Sequence, residues 1–152
     1  MNTSLQAVAA SYITGDPSMM TPAEQRAFDQ WLTASYRPIA HLVQVTGAEV
    51  SPETIVAHWQ LKGRLLISSA HSEHPFFSVD TNVKLRAVHD WHHLLVNRGF
   101  GWDGEVAACQ YALQTAPKAI HWILRSEIMG QAAVAIATGN FPTQKLVRTV
   151  GV

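Results

Sequence analysis

Phe28, Trp31, Leu32, Tyr36, Ile39, Leu42 and Val43 recur at steps of three and four along the chain. That is the period of one buried helical face. Thr21-Pro22-Ala23-Glu24 precedes the run and forms a capping box with proline at the first helical position. The pattern predicts a helix from there to about Val45, kinked or split at Pro38 and ended by Gly47. A short helix over Leu5 to Ile13 comes before it, stopped by Gly15-Asp16-Pro17. Ser51-Pro52-Glu53-Thr54 starts another helix, carrying Ile55, Val56 and Trp59 and stopping before Gly63. Arg64 to Ser68 is short and apolar and reads as a strand or an extended connector, and His71 to Asp80 reads as a loop. Asp80, Thr81 or Asn82 can cap a helix running to about Asn97, followed by a glycine-rich turn from Arg98 to Gly104. Glu105 opens a helix to about Thr115, and a last helix runs from Lys118 to Ala137, closed by Gly139-Asn140. Phe141 begins an extended tail. The expected fold is all-α: one compact domain over residues 1–152 with five or six helices, with 1–20 and 141–152 peripheral.

Two of these helices carry the candidate chemistry. On the helix ending at Asn97, advancing about 100° per residue places Asn82, Arg86, His89, Asp90, His93 and Asn97 within roughly 100° of arc. Val83, Ala87, Val88, Trp91, Leu94 and Leu95 occupy much of the remainder. An ordinary solvated stripe contains Lys and Glu, and this one contains neither. His89 and His93 are four apart, which lets two imidazoles on one helix reach one metal ion. His92 lies off the stripe. The segment from Ala119 to Ala137 is apolar on nearly every side, as a central helix is. Glu127 sits in its middle with Gln131 one turn later, and a carboxylate there must be paired, protonated or metal-bound. A salt bridge of Glu127 to Arg86 or Arg125 is one reading; a metal ligand or general base is the other. Glu105, after Gly99, Gly101 and Gly104, is either a first-turn carboxylate favoured by the helix dipole or a further member of this set. His71 and His74 form a separate loop pair. His41, His58 and His121 lie in apolar helical stretches and read as hydrogen-bonded core or boundary histidines.

Composition narrows the function classes. Eleven basic residues balance eleven acidic ones, so no basic excess exists for non-specific nucleic-acid binding. Only 14% of residues are charged while 47% are hydrophobic, which excludes disorder and suggests a partly covered surface, so a homo-oligomer is expected. The N-terminus lacks a signal-peptide pattern. The most apolar stretch holds His121, Arg125, Glu127 and Gln131, which a lipid-facing helix would not carry. A cytoplasmic protein is the expectation. Its single cysteine, Cys109, lies among Ala107, Ala108 and Tyr111 and reads as a buried, inert thiol. No phosphate-binding glycine loop, paired-cysteine zinc motif or serine-nucleophile elbow is present.

Several short motifs follow one another in the C-terminal half: Leu85-Arg86-Ala87-Val88-His89-Asp90, Gly99-Phe100, Gly104-Glu105, Glu127-Ile128-Met129-Gly130-Gln131, and Gly139-Asn140-Phe141-Pro142-Thr143-Gln144-Lys145. Through them, residues of about 36 to 145 resemble a family of uncharacterised proteins associated with bacteriophage genomes and mobile elements. The resemblance implies that Arg86, His89, Asp90, Glu105, Glu127 and Gln131 belong to one constellation, with no activity attached. This chain departs from that pattern in its second histidine, which follows the first by four residues (His93) or three (His92).

The expected function is that of a metal-dependent enzyme, with hydrolysis as the default because a bound metal makes a water nucleophile at neutral pH. His89, His93 and Glu127 would hold zinc, iron or manganese, with Glu105 a fourth ligand or a base. Iron would instead allow oxygen chemistry. Arg86 would orient a carboxylate or grip an anionic group of a small-molecule substrate, Asp90 would complete the catalytic set, and Gln131 would support it. A nucleotide or modified base suits a phage context, and the host cytoplasm would then be the location. The competing expectation is a non-catalytic assembly protein, suited by the low charge and the five tryptophans. In it the polar stripe is a hydrogen-bonded network that fixes helix packing.

Overall fold

The computed structural model describes residues 1–152 and is mostly α-helical. Six helices surround one core, with a small two-stranded sheet at one side. α1 spans Leu5–Thr14, α2 Pro22–Tyr36, α3 Pro52–Lys62, α4 Val79–Val96 and α5 Trp102–Thr115. The sixth helix begins as α6 (His121–Leu124), widens into a π-helical stretch at Arg125–Gly130 and continues as α7 (Gln131–Thr138).

α2 starts where the capping box predicts. Thr21 Oγ1 accepts from the Glu24 amide, and Glu24 reaches back to the Thr21 amide. The helix ends at Tyr36, short of the expected Val45. Pro38 has no amide to donate, and the chain tightens into a 3-10 turn over Arg37–Leu42. Val43-Gln44-Val45-Thr46 then forms a strand, β1 (Val43–Thr46). It pairs in parallel with β2 (Leu65–Ser68), Val43 opposite Leu65, and α3 supplies the crossover that parallel strands require. The short apolar segment is thus a strand, with Leu65 and Ile67 buried.

α4 begins two residues before the earliest expected cap. Ser78 is the cap, its hydroxyl accepting from the Thr81 amide at 3.1 Å. Asn97 closes the helix in a left-handed conformation (φ 52°), which asparagine tolerates better than most residues. α5 begins at Trp102 rather than Glu105, so Glu105 falls in its first turn. The π-helical stretch has no counterpart in the expected regular helix. Gly130 within it faces the Tyr12 ring, and a Cβ there would lie 2.5 Å from Tyr12 Cδ2.

The chain ends are not peripheral. α1 buries Val8, Ala9 and Tyr12, chiefly against α7, and the tail buries Leu146, Val147 and Val150. The tail is fastened by polar contacts at three places. Lys145 Nζ donates to the carbonyls of Ile13 and Gly15 at the end of α1, where the helix dipole favours a cation. The Val147 amide donates to Ser126 Oγ, and Arg148 makes two contacts with Glu24 while lying 3.9 Å over the Trp122 ring. No helix is long and apolar enough to cross a membrane.

A histidine-carboxylate cluster between α4 and α5

α4 and α5 pack along each other, joined by the turn Asn97–Gly101. His89 and His93, one turn apart on α4, face Glu105 in the first turn of α5. His89 Nε2 lies 3.0 Å and His93 Nε2 3.2 Å from Glu105 Oε2, and the two Nε2 atoms are 3.1 Å apart. Metal–ligand bonds of about 2.1 Å place neighbouring donors roughly 3.0–3.4 Å apart, from octahedral to tetrahedral angles. The three donors fit that spacing and could hold one metal ion. The His93 side chain is fully buried, whereas 21% of the His89 side chain is exposed, so the His89 side is open to solvent.

Contacts around the cluster fix which ring atoms face it. His93 Nδ1 lies 2.8 Å from the Gly99 carbonyl, which can only accept, so its proton sits there and Nε2 keeps its lone pair for the cluster. The His93 ring also stacks on Phe100 at 4.3 Å. Glu105 Oε2 is buried and close to both imidazoles, yet aligned for a hydrogen bond with neither. Burial disfavours the charged form of His89, but Glu105 and then Asp90 outweigh it and hold the imidazole above its ordinary range. Burial likewise opposes the Glu105 carboxylate, and the two imidazoles overcome it, pulling the group down to about 2. Asp90 is half-buried beside the cluster. Burial pushes its carboxyl up to about 6; His89, His93 and Arg86 pull it down, and Glu105 works with burial.

The remaining members of the expected set are placed elsewhere. Glu127 does not join His89 and His93. Its Oε1 lies 2.8 Å from His74 Nε2 and its Oε2 accepts from Gln131 at 3.0 Å. His74 Nδ1 accepts from the Phe76 amide at 3.0 Å, so the Nε2 proton is the one given to Glu127. The His74 ring stacks on Phe77 at 4.2 Å. Glu127 sits on the central helix, where His74 from the 71–78 loop meets it, and Glu105, on the element next to α4, is the carboxylate beside His89 and His93.

Arg86 is held by backbone. NH1 donates to the carbonyls of Ser68 and Ala70, and NH2 to that of His71, all within 2.8 Å. It fastens the chain leaving β2, with three of its five N–H donors spent on backbone. Burial lowers its basicity, partly offset by Asp90, Glu127 and Glu73. Asn82 is buried and donates to the Ser72 carbonyl.

His71 and His74 do not act as a pair, since His71 is exposed against Glu49. His58 and His121 are half-buried and hydrogen-bonded to Gln44 and the Ala116 carbonyl, while His41 is exposed, on the 3-10 turn. His92 is buried against Tyr111, and burial, reinforced by His89 and His93, brings it down to about 4. Cys109 is buried, and burial pushes its thiol up to about 12.

Among the candidate site residues, sequence reasoning missed the pairing of His74 with Glu127. Its only signal was the apolar company of His74 in the loop, Pro75-Phe76-Phe77. No protein-family model, curated protein or solved structure matches the chain. The resemblance to phage-associated proteins therefore rests on its motifs alone.

Proposed function

We propose that His89, His93 and Glu105 hold one divalent cation and that the protein is a metal-dependent enzyme, a hydrolase by default. The observation that supports this best is the buried Glu105 Oε2, which lies between two imidazole nitrogens without the alignment of a hydrogen bond. Three donors leave coordination positions for water and substrate, as catalytic sites do and closed structural sites do not. A cation there supplies Lewis acidity and brings bound water toward a pKa of about 7. Zinc suits two imidazoles and a carboxylate; iron or manganese suits the same set with more open positions.

The chain's own residues then divide the remaining work. His93, locked through Gly99, fixes the metal's place. Glu105 supplies negative charge that offsets the cation. Asp90 is the base beside the open side, within the field of His89 and His93. Arg86 keeps the 68–71 segment against α4. A small-molecule substrate, nucleotide-related or otherwise, would approach from the open His89 side. An intracellular setting and homo-oligomeric assembly complete the proposal.

The test is metal analysis of protein purified without a histidine tag, with zinc, iron and manganese titrated separately. One tightly held ion per chain, lost in His93→Ala, is the expected result. No binding of any of the three refutes the proposal.

A second reading has its own support. Arg86, Asn82, Glu127 and His74 all bind backbone or one another inside the fold. This favours a structural network for Asn82 and Arg86 of the stripe and for the His74–Glu127 pair, as in an assembly protein. A metal-free chain in which His89→Ala loses only stability would make this the better account.

A further inference from the structure

We propose that Gly104 is a positioning residue for the metal site, seating the Gly99 carbonyl that orients His93; this rests on the metal reading above. His93 can present Nε2 to the cluster only if its ring is held against rotation. Phe100 covers one face of the ring, and the Gly99 carbonyl at 2.8 Å from Nδ1 sets which nitrogen points inward.

That carbonyl occupies its place under two conditions. Gly99 has a left-handed φ of +73°, which side-chain-bearing residues rarely adopt. Gly104 must lack a side chain, because a Cβ there would lie 2.0 Å from the Gly99 oxygen and 2.7 Å from its carbon. These are backbone atoms, so no rotamer change relieves the clash, and the turn itself must move. Gly104 directly precedes Glu105. One close approach therefore sets both the orientation of one ligand and the starting point of another.

The experiment compares zinc affinity, by competition with a chromogenic chelator, in wild type, Gly104→Ala, Gly99→Ala and Gly139→Ala. Gly139→Ala is the control. Gly139 has a comparable φ of +80° with open space around it, as Gly99 has, but it caps α7. Loss of a hydrogen bond behind a ligating histidine typically weakens metal binding 10- to 100-fold. Gly104→Ala and Gly99→Ala should both lose affinity in that range, and Gly139→Ala should keep the wild-type value. Nitrogen-15 spectra of the zinc-loaded wild type should place the His93 proton on Nδ1 with slow exchange, and Gly104→Ala should lose that signature. Unchanged affinity in either Gly104→Ala or Gly99→Ala, or an equal loss in Gly139→Ala, overturns the inference while leaving the metal reading intact. If Gly104→Ala does not fold, Gly99→Ala tests the carbonyl that Gly104 seats, and its unchanged affinity overturns the inference. A wild type that binds none of zinc, iron and manganese removes the metal reading and this inference together.

Discussion

Replacing Glu105 with glutamine keeps the side chain's shape and removes its charge, and its effect should depend on whether metal is present. Consider first the metal-free protein. A carboxyl held at about 2 rather than 4.5 draws roughly 3 kcal/mol from its surroundings. That stabilisation is present above pH 4.5 and is lost as pH falls toward 2. The partner side of the same interaction runs the other way. His89 is raised, so its share is fully present below pH 6.5 and fades as pH rises through its folded value. At pH 6 the variant should therefore lose about 3 kcal/mol. At pH 8 the loss should be smaller, because His89 holds its proton less fully there.

Metal adds a second, separable component. Free zinc at a hundred times its dissociation constant stabilises the folded state by about 2.7 kcal/mol. For a chain of this length that is about 5–10 °C in melting temperature. The assay is thermal melting of wild type and Glu105→Gln at both pH values, with chelator and with excess zinc. Wild type should gain the zinc increment, and the variant should lose most of it. A wild-type melting temperature indifferent to both chelator and zinc, beside a large loss in the variant, would leave Glu105 as a structural ion pair and refute the metal reasoning.

Three further outcomes are expected. Glu127→Gln places an amide nitrogen against a donor, His74 Nε2 or Gln131 Nε2; chemical denaturation should show a loss of about 1–3 kcal/mol that is equal with and without chelator. Glu24 is pulled down to about 2, first by Arg148, so its contribution is present above pH 4.5 and lost as pH falls toward 2. Acid unfolding of Glu24→Gln should lack that part of the slope, and its loss at pH 7 should be about 1–2 kcal/mol because Arg148 is half-exposed. Cys109, pushed up to about 12 and buried, should resist thiol reagents at pH 8 in the folded protein and react on unfolding, as a chromogenic disulfide exchange would show.

Much of the fold was legible before any coordinates, because it depends on local rules. The capping box at Thr21, the caps around Gly63 and Gly139, and the three-and-four apolar spacing of α2 follow from backbone donors and helical period alone. The pairing of His89 with His93 is of the same kind, since a helix carries residues four apart to one side whatever surrounds it. Other features needed the folded chain. Whether Val43-Gln44-Val45 continued a helix or formed a strand was decided by β2, twenty-two positions away, which supplies the ladder. The π-helical widening at Arg125–Gly130 accompanies the packing of the Tyr12 ring on Gly130, a contact between distant parts of the chain. Which carboxylate joins the two histidines was decided in the same way. Glu105 and Glu127 are both carboxylates on helices, and no pattern in the sequence ranks them. Glu105 lies in the first turn of the helix beside α4, and Glu127 meets His74 from a loop. Periodicity assigns a residue to a face of its own helix; which helix that face meets depends on long-range packing, and here that packing joins His89 and His93 to Glu105.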